Sequence, residues 1–259
     1  MNFCVLASGS SGNSIFISDG DTHVLVDAGI SCKQICDRLQ NIGVDPCSIS
    51  ALCVTHDHDD HTKGIPVMVK KLSVPVYSTD GTCATVSRKL KMPETDWNIF
   101  PSGCDFTIGS LSFHAFSTSH DATEPVGFTV KGGDGKRLGI ATDLGVATEL
   151  VVQYLKDCDA IILESNYDLQ MTRNSGRPWV LQERVTGRKG HLSNEQACEV
   201  LDAILPGRAS TIVLAHISAE CNDQRLAFDK AMSRLRAHRC ETTVKLFAAS
   251  TEPLPLLSV

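Results

Sequence analysis

The chain has 259 residues, of which 42% are hydrophobic and 21% charged, an ordinary globular composition with enough apolar side chain for a sizeable core. A formal net charge of −6 argues against a protein that coats nucleic acid nonspecifically, while leaving room for a local basic patch. No apolar run approaches the roughly 20 residues that cross a bilayer. The start, Met1-Asn2-Phe3-Cys4-Val5-Leu6, has neither the basic segment nor the long apolar stretch of a secretion signal. A soluble cytoplasmic protein without membrane attachment is expected. Eleven scattered cysteines without a C-x-x-C pair read as reduced, mostly buried thiols.

In chain order, apolar runs predict strands over 3–7, 14–18, 22–26, 50–54 and 74–78. Further strands are expected over 111–117, 126–130, 138–142, 159–163, 211–215 and 243–248. Ile35 and Leu39 stand at i, i+4 in a helix over 31–42. A helix over 62–72 ends in Lys70-Lys71, which suits the negative end of a helix. Residues 193–205 open with Ser193-Asn194-Glu195-Gln196, a capping-box pattern. In 222–236, Phe228, Ala231, Met232 and Leu235 mark the buried face of an amphipathic helix. The stretch 167–192 reads as a long irregular connection of the kind that carries function. No low-complexity linker divides the sequence, so one layered α/β domain over 1–259 is expected.

The most informative segment is Thr55-His56-Asp57-His58-Asp59-Asp60-His61, directly after the apolar run Ser50-Ala51-Leu52-Cys53-Val54. Imidazole nitrogens and carboxylate oxygens suit zinc, manganese and iron. Three imidazoles gathered with carboxylates make little sense as core packing, because each buried polar group needs a partner. Other strand ends carry ligand-type residues too: Asp27 after 22–26, His120 after 111–117, Asp143 after 138–142 and His216 after 211–215. An isolated Asp or His at a strand end is usually only a turn or structural residue. Their recurrence at several strand ends, where one edge can gather them, points to a shared site. Seven ligands with one shared carboxylate fit two ions about 3.5–4 Å apart.

Asp27, the run His56-x-His58-x-Asp60-His61, His120, Asp143 and His216 match in order the motifs of the metallo-β-lactamase fold, and the resemblance spans essentially the whole chain. Leu6-Ala7-Ser8-Gly9-Ser10-Ser11-Gly12-Asn13-Ser14, Glu164-Ser165-Asn166, Arg188-Lys189-Gly190-His191-Leu192-Ser193-Asn194 and Leu214-Ala215-His216-Ile217-Ser218 resemble the YycJ/WalJ group of bacterial hydrolases. That group is associated with 5′-to-3′ exonuclease action on DNA, and is more distantly similar to tRNA 3′-processing endonucleases. The resemblance implies an αββα four-layer sandwich with the site at one edge. It assigns His56, His58 and His120 to one metal, Asp60, His61 and His216 to a second, Asp143 to the bridge, and Asp27 to orienting a ligand.

Two ions activate water and stabilise charge developing on phosphoryl or carbonyl oxygen alike, so the substrate must be read from other residues. A basic strip, Arg173, Arg177, Arg184, Arg188 and Lys189 with Trp179 among them, is the kind of surface that holds a phosphate backbone and stacks a base; a solvated loop explains it about equally well. By similarity to the tRNA-processing enzymes, His191 is a candidate general acid that Glu164 could orient, with Asp60 helping to hold the nucleophile. A helix-capping role for His191 is the plain alternative. Ser10 and Asn13 in the Ser8–Ser14 loop, together with Asn166, Arg184, Arg188, Lys189 and Ser193, are candidate substrate contacts. The expected function is a two-metal phosphodiesterase, a 5′-to-3′ DNA exonuclease using zinc or manganese, with iron also possible and no obligatory protein partner. The alternative is a hydrolase of a small thioester, lactone or cyclic phosphodiester.

Overall fold

The structure is a computed structural model that describes residues 1–93 and 97–259. The first sheet begins as an antiparallel meander, β1 (Asn2–Ala7), β2 (Ser14–Asp19) and β3 (Thr22–Val26). It continues in parallel through β4 (Ala51–Cys53), β5 (Val76–Ser78) and β6 (Trp97–Ile99). The second sheet mirrors that plan. β7 (Asp105–Ile108), β8 (Leu111–Ser117), β9 (Val126–Lys131) and β10 (Arg137–Ala141) pair antiparallel. β11 (Ala160–Glu164), β12 (Thr211–Ala215) and β13 (Lys245–Ala248) add on in parallel. A short last strand, β14 (Leu257–Ser258), returns to β1.

Strand side chains alternate between faces, so each sheet offers two apolar surfaces. Phe3, Val5, Ile17 and Val24 of the first sheet meet Phe113, Phe128, Ile140 and Ile162 of the second in the central core. The alternate positions Leu6, Phe16 and Leu25 are covered by α1 (Cys32–Asn41), α3 (Ile65–Leu72) and α4 (Asp80–Leu90) through Ile35, Leu39, Met68 and Val86. On the other side Ile161 and Leu163 are covered by α5 (Glu149–Lys156), α8 (Asn194–Ile204) and α9 (Gln224–Ala237) through Leu155, Leu201 and Leu235. The order of layers is therefore α, β, β, α, as the resemblance implied. No helix among the described residues is long and apolar enough to cross a membrane.

Three expectations change. The helix expected over 62–72 is split into α2 (Asp59–Thr62) and α3, with Pro66 in the first turn of α3. Gly64 lies between them, and a Cβ there would stand 2.4 Å from the Ile30 carbonyl oxygen. The stretch 167–192 is not irregular throughout. It holds α6 (Leu169–Asn174), capped by Asp168 on the N–H groups of Gln170 and Met171, and α7 (Trp179–Thr186), introduced by Pro178. In α9 the fully buried positions are Ala227, Ala231 and Leu235, while Phe228 and Met232 are only partly covered. Ala231 and Leu235 thus keep the face expected, and Ala227 rather than Phe228 or Met232 completes it against α8 and β13.

Candidate metal centre

Six strands that run in two parallel sets deliver the ligand-type residues to one edge of the sandwich. Asp27 follows β3, the 56–61 loop follows β4, His120 follows β8, Asp143 follows β10, Glu164 ends β11 and His216 follows β12. Carboxyl ends of parallel strands are where α/β scaffolds place their ligands. Asp27, Asp143 and His216 have φ of 63°, 58° and 54°, the left-handed region that costs energy for residues other than glycine. Each is held there by its surroundings: the Asp27 N–H donates to the Cys53 carbonyl (2.8 Å) and the His216 N–H to Ser8 Oγ (2.7 Å).

Two three-residue groups result. Donor atoms of His56, His58 and His120 lie within 4.8 Å of one another, and so do those of Asp60, His61 and His216. Asp143 stands between the groups, its carboxylate 3.3 Å from His61 Nε2, 3.7 Å from His120 Nε2 and 3.4 Å from His216 Nδ1. The Nδ1 atoms of these three rings are held by protein oxygens, at the nitrogen opposite the Asp143-facing one in His61 and His120 and at the same nitrogen in His216. His61 Nδ1 lies 2.8 Å from Asp27 Oδ2, His120 Nδ1 2.9 Å from the Gly190 carbonyl, and His216 Nδ1 2.9 Å from Glu164 Oε1. Such partners set the tautomer so that the other nitrogen offers its lone pair to a metal. Asp27 also accepts the Thr55 N–H at 2.8 Å, which ties the start of the histidine loop to β3.

Charge explains why this cluster calls for cations. Burial works against protonated His61, but Asp143, Asp27 and Asp60 outweigh it and raise the group to about 9. His216 is likewise raised well above the usual histidine value, against its burial, by Asp143, Asp60 and Glu164. Burial pushes His56 well down, helped by the neighbouring histidines, and also lowers His120. One half of the site thus collects protons and the other refuses them. A divalent ion in each half would neutralise the carboxylates without the buried imidazolium groups. Two atoms fit that reading directly: His56 Nε2 and Asp143 Oδ2 are buried without a hydrogen-bond partner among the described residues. Unpartnered buried polar atoms are rare and need a cause, and here both belong to the ligand cluster.

A cleft opens over the cluster, lined by Asp60, Asp143, His191 and His216 together with Arg177, Leu181 and Arg184. Arg184 Nε lies 2.5 Å from Asp121 Oδ2, and Asp121 Oδ1 is in turn 3.7 Å from His58 Nε2. Arg177 pairs with Glu220 at 2.9 Å. Asp121 was absent from the expected site, although its place beside His120 is the signal that could have found it. His191 Nδ1 is held by Glu164 Oε1 at 2.8 Å, which leaves Nε2 as its free ring nitrogen. Glu164 is fully buried, so it positions His191 and His216 and touches nothing in the cleft.

Of the candidate substrate contacts, Ser10, Asn166 and Arg184 line the cleft. Asn13 does not face it: its amide sits 3.3 Å from Asp60 Oδ2 and 3.0 Å from His61 Nε2, and its Oδ1 accepts the Gly9 N–H. It holds ligands in place. Ser193 is spent on capping α8, accepting the Gln196 N–H. The side chains of Arg188 and Lys189 are exposed outside the cleft lining, because the 188–190 backbone packs on Gly145 and the Arg188 carbonyl takes the Ser119 hydroxyl proton. Trp179 is two residues before Leu181, about 200° around α7, and lies outside the lining of the cleft, 68% exposed.

The ligand loop depends on one glycine. A Cβ at Gly29 would stand 1.6 Å from the Asp60 carbonyl oxygen and 2.5 Å from the Asn13 nitrogen, both backbone atoms. Gly29→Ala is expected to cost about 1–3 kcal/mol, the usual range for overpacking, and to weaken metal retention by displacing Asp60. Denaturant melts with metal analysis check this; unchanged values in both would show that the loop yields.

The profile of the family described as "Beta-lactamase superfamily domain" matches residues 22–217. Exodeoxyribonuclease YycJ of Bacillus anthracis is 32% identical over 228 residues, covering 88% of this chain and 86% of that protein. Exodeoxyribonuclease WalJ of Streptococcus pneumoniae is 31% identical over 236 residues, covering 90% and 87%. Among solved structures, the metallo-beta-lactamase fold protein YhfI from Bacillus subtilis superposes with a TM-score of 0.70 at 14% identity, covering 98% of this chain and 99% of that one. The chain belongs to the metallo-β-lactamase superfamily and, within it, to the YycJ/WalJ group.

Proposed function

We propose that this chain is a two-metal nuclease, a cytoplasmic 5′-to-3′ DNA exonuclease that works as one unit of residues 1–259, without a membrane or an obligatory protein partner. The observation that carries the reading is the meeting of two ligand groups at Asp143 beneath a cleft that Arg177 and Arg184 also line. His56, His58 and His120 would hold one divalent ion and Asp60, His61 and His216 the other. Zinc or manganese suits this nitrogen and oxygen set, and so does iron. Bound there, the ions supply Lewis-acid activation of water and of the phosphoryl group.

The protein's own residues do the rest. Arg184 and Arg177 give the cleft wall two guanidinium groups, the donors best matched to phosphate oxygens. Their pairing with Asp121 and Glu220 keeps them in place before substrate arrives. Asp60, which lines the cleft, orients the attacking water, and Asp143 fixes the spacing of the two halves. His191, held by Nδ1, presents Nε2 to protonate the departing oxygen. Support for nucleic acid as substrate comes from the exodeoxyribonuclease relatives, which match over most of their length.

The test is digestion of 5′-phosphorylated, end-labelled DNA by metal-stripped protein resupplied with manganese or zinc, beside His58→Ala. Release of mononucleotides that needs both the metal and His58 is expected. Protein with two metals bound that leaves DNA intact and cleaves a thioester or lactone would overturn the nuclease reading.

A further inference from the structure

We propose that the outer face of the second sheet carries a phosphate-binding site separate from the metal centre. Across β9 and β10, Lys131 and Arg137 stand directly opposite each other. Directly opposed residues share a face, and like charges there repel. No acid relieves the pair: among the described residues neither the Lys131 ammonium nor the Arg137 guanidinium has a hydrogen bond or ion pair. The nearby Asp159 carboxylate is taken up by the Arg137 backbone N–H, Lys136 and Arg208. Two unanswered cations side by side are conspicuous in a chain of net charge −6.

The neighbours complete a donor-rich pocket. Ser112 lies opposite Lys131, and His114 opposite Thr129, on the same face. Next along that row, opposite Thr129, is Gly139, where a Cβ would stand 2.7 Å from Leu155. This close approach seats α5 as a wall, and its Tyr154 ring lies 4.7 Å from that of His114. Asp105, which also lines the pocket, is engaged by His114 Nδ1 at 2.6 Å, while His114 Nε2 is buried with no hydrogen-bond partner among the described residues. The cavity they line has a volume of about 380 Å³, at the lower end of the ~300–1,000 Å³ typical of ligand pockets. Arg137 opens β10 and Asp143 follows its far end, roughly 20 Å away at ~3.3 Å per residue. The pocket is therefore no extension of the catalytic cleft.

Two cations and the hydroxyls of Ser112, Thr129 and Tyr154, which have no partner among the described residues, call for a ligand that is anionic and accepts many hydrogen bonds. A phosphate group has both properties. It could be carried by a free mononucleotide or by the backbone of a nucleic-acid strand lying across this face.

Orthophosphate titrated into the zinc-loaded protein, with the His114 side-chain nitrogens followed by NMR, tests the site beside the double variant Lys131→Gln, Arg137→Gln. The wild type is expected to show a saturable His114 shift, at least about tenfold weaker in the variant, since hydrogen bonds to charged groups contribute ~1.5–3 kcal/mol each. Both substituted side chains are exposed, and a melting curve shows that the variant folds. Repeating the titration with deoxyadenosine monophosphate and with a hydrolysis-resistant phosphorothioate strand separates the two sources. A shift with the mononucleotide alone identifies a small-molecule site, and a shift with the strand identifies a backbone contact. No His114 shift with any of the three, or an equal shift in the double variant, overturns the proposal.

Discussion

Asp143→Asn is expected to abolish nuclease activity and to lower the metal content below two ions per chain, with the fold kept. Asp143 is 2% exposed and stands between the two ligand groups, within 3.7 Å of histidines from both. Among the described residues its Oδ2 has no hydrogen-bond partner, so that oxygen is available to an ion. Asparagine keeps the shape but replaces one oxygen with an amide nitrogen that is a donor and ligates poorly. It also removes the negative charge that stands between the two ligand groups. Charge stabilisation by a metal contributes several kcal/mol to such a reaction, and at ~1.4 kcal/mol per decade the loss is roughly a thousandfold or more. The left-handed φ of 58° favours this test, because asparagine tolerates that backbone as well as aspartate does. Rates on 5′-phosphorylated DNA and metal content by atomic emission are the measurements. Two retained ions with near-normal turnover would overturn the proposed bridging role of Asp143.

The layered fold and the gathering of histidines and acids at one edge were legible in the sequence for a common reason. Strands buried on both faces read as unbroken apolar runs, so Val24-Leu25-Val26, Ile161-Ile162-Leu163 and Ile212-Val213-Leu214 stand out, and each ends in a polar residue that reaches the site. What escaped was set by tertiary contact. α4 carries few large apolar residues, α5 is only eight residues long, and α7 buries none of its residues. The roles of Asn13 and Asp121 depend on neighbours 47 and 63 positions away, Asp60 and Arg184, a separation that local pattern cannot span. The Ser8–Ser14 loop looked suited to phosphate, yet its Asn13 serves the ligand loop, because Gly29 lets the Asp60 backbone come within reach of the Asn13 N–H at 2.7 Å. The basic strip was legible as composition, while its orientation was not. Helix phase brings Arg184 to the cleft with Leu181 and turns Trp179 away.

Glu164→Gln should do nearly as much damage without touching substrate. Glu164 is fully buried at the end of β11, and both its oxygens are saturated. Oε1 lies 2.8 Å from His191 Nδ1 and 2.9 Å from His216 Nδ1, and Oε2 accepts the N–H groups of Leu144 and Leu192 at 3.1 and 2.9 Å. Four donors therefore converge on one carboxylate. Glutamine offers one acceptor oxygen and an NH2 group, so it cannot serve all four. If the NH2 faces the backbone, two N–H groups are left buried against another donor. If it faces the histidines, they must give up their Nδ1 protons, and His216 then carries its proton on Nε2, where it can no longer bind a metal. Burial alone would raise the Glu164 pKa, but His191 and His216 overcome it and hold the carboxyl below its ordinary 4.5. A group depressed in the folded state stabilises the protein above its ordinary value and loses that effect as the pH falls through the depressed one. The stability penalty of Glu164→Gln is therefore expected in full at neutral pH and to shrink in strong acid. Loss of a residue that orients metal ligands typically costs ~10–100-fold in metal affinity or activity, and here two histidines are lost to one change. Metal content, the pH–rate profile and denaturant melts at pH 7 and pH 3 together separate this role from simple support of the fold. A variant that keeps two ions and the parental pH profile while melting lower would reduce Glu164 to a packing residue.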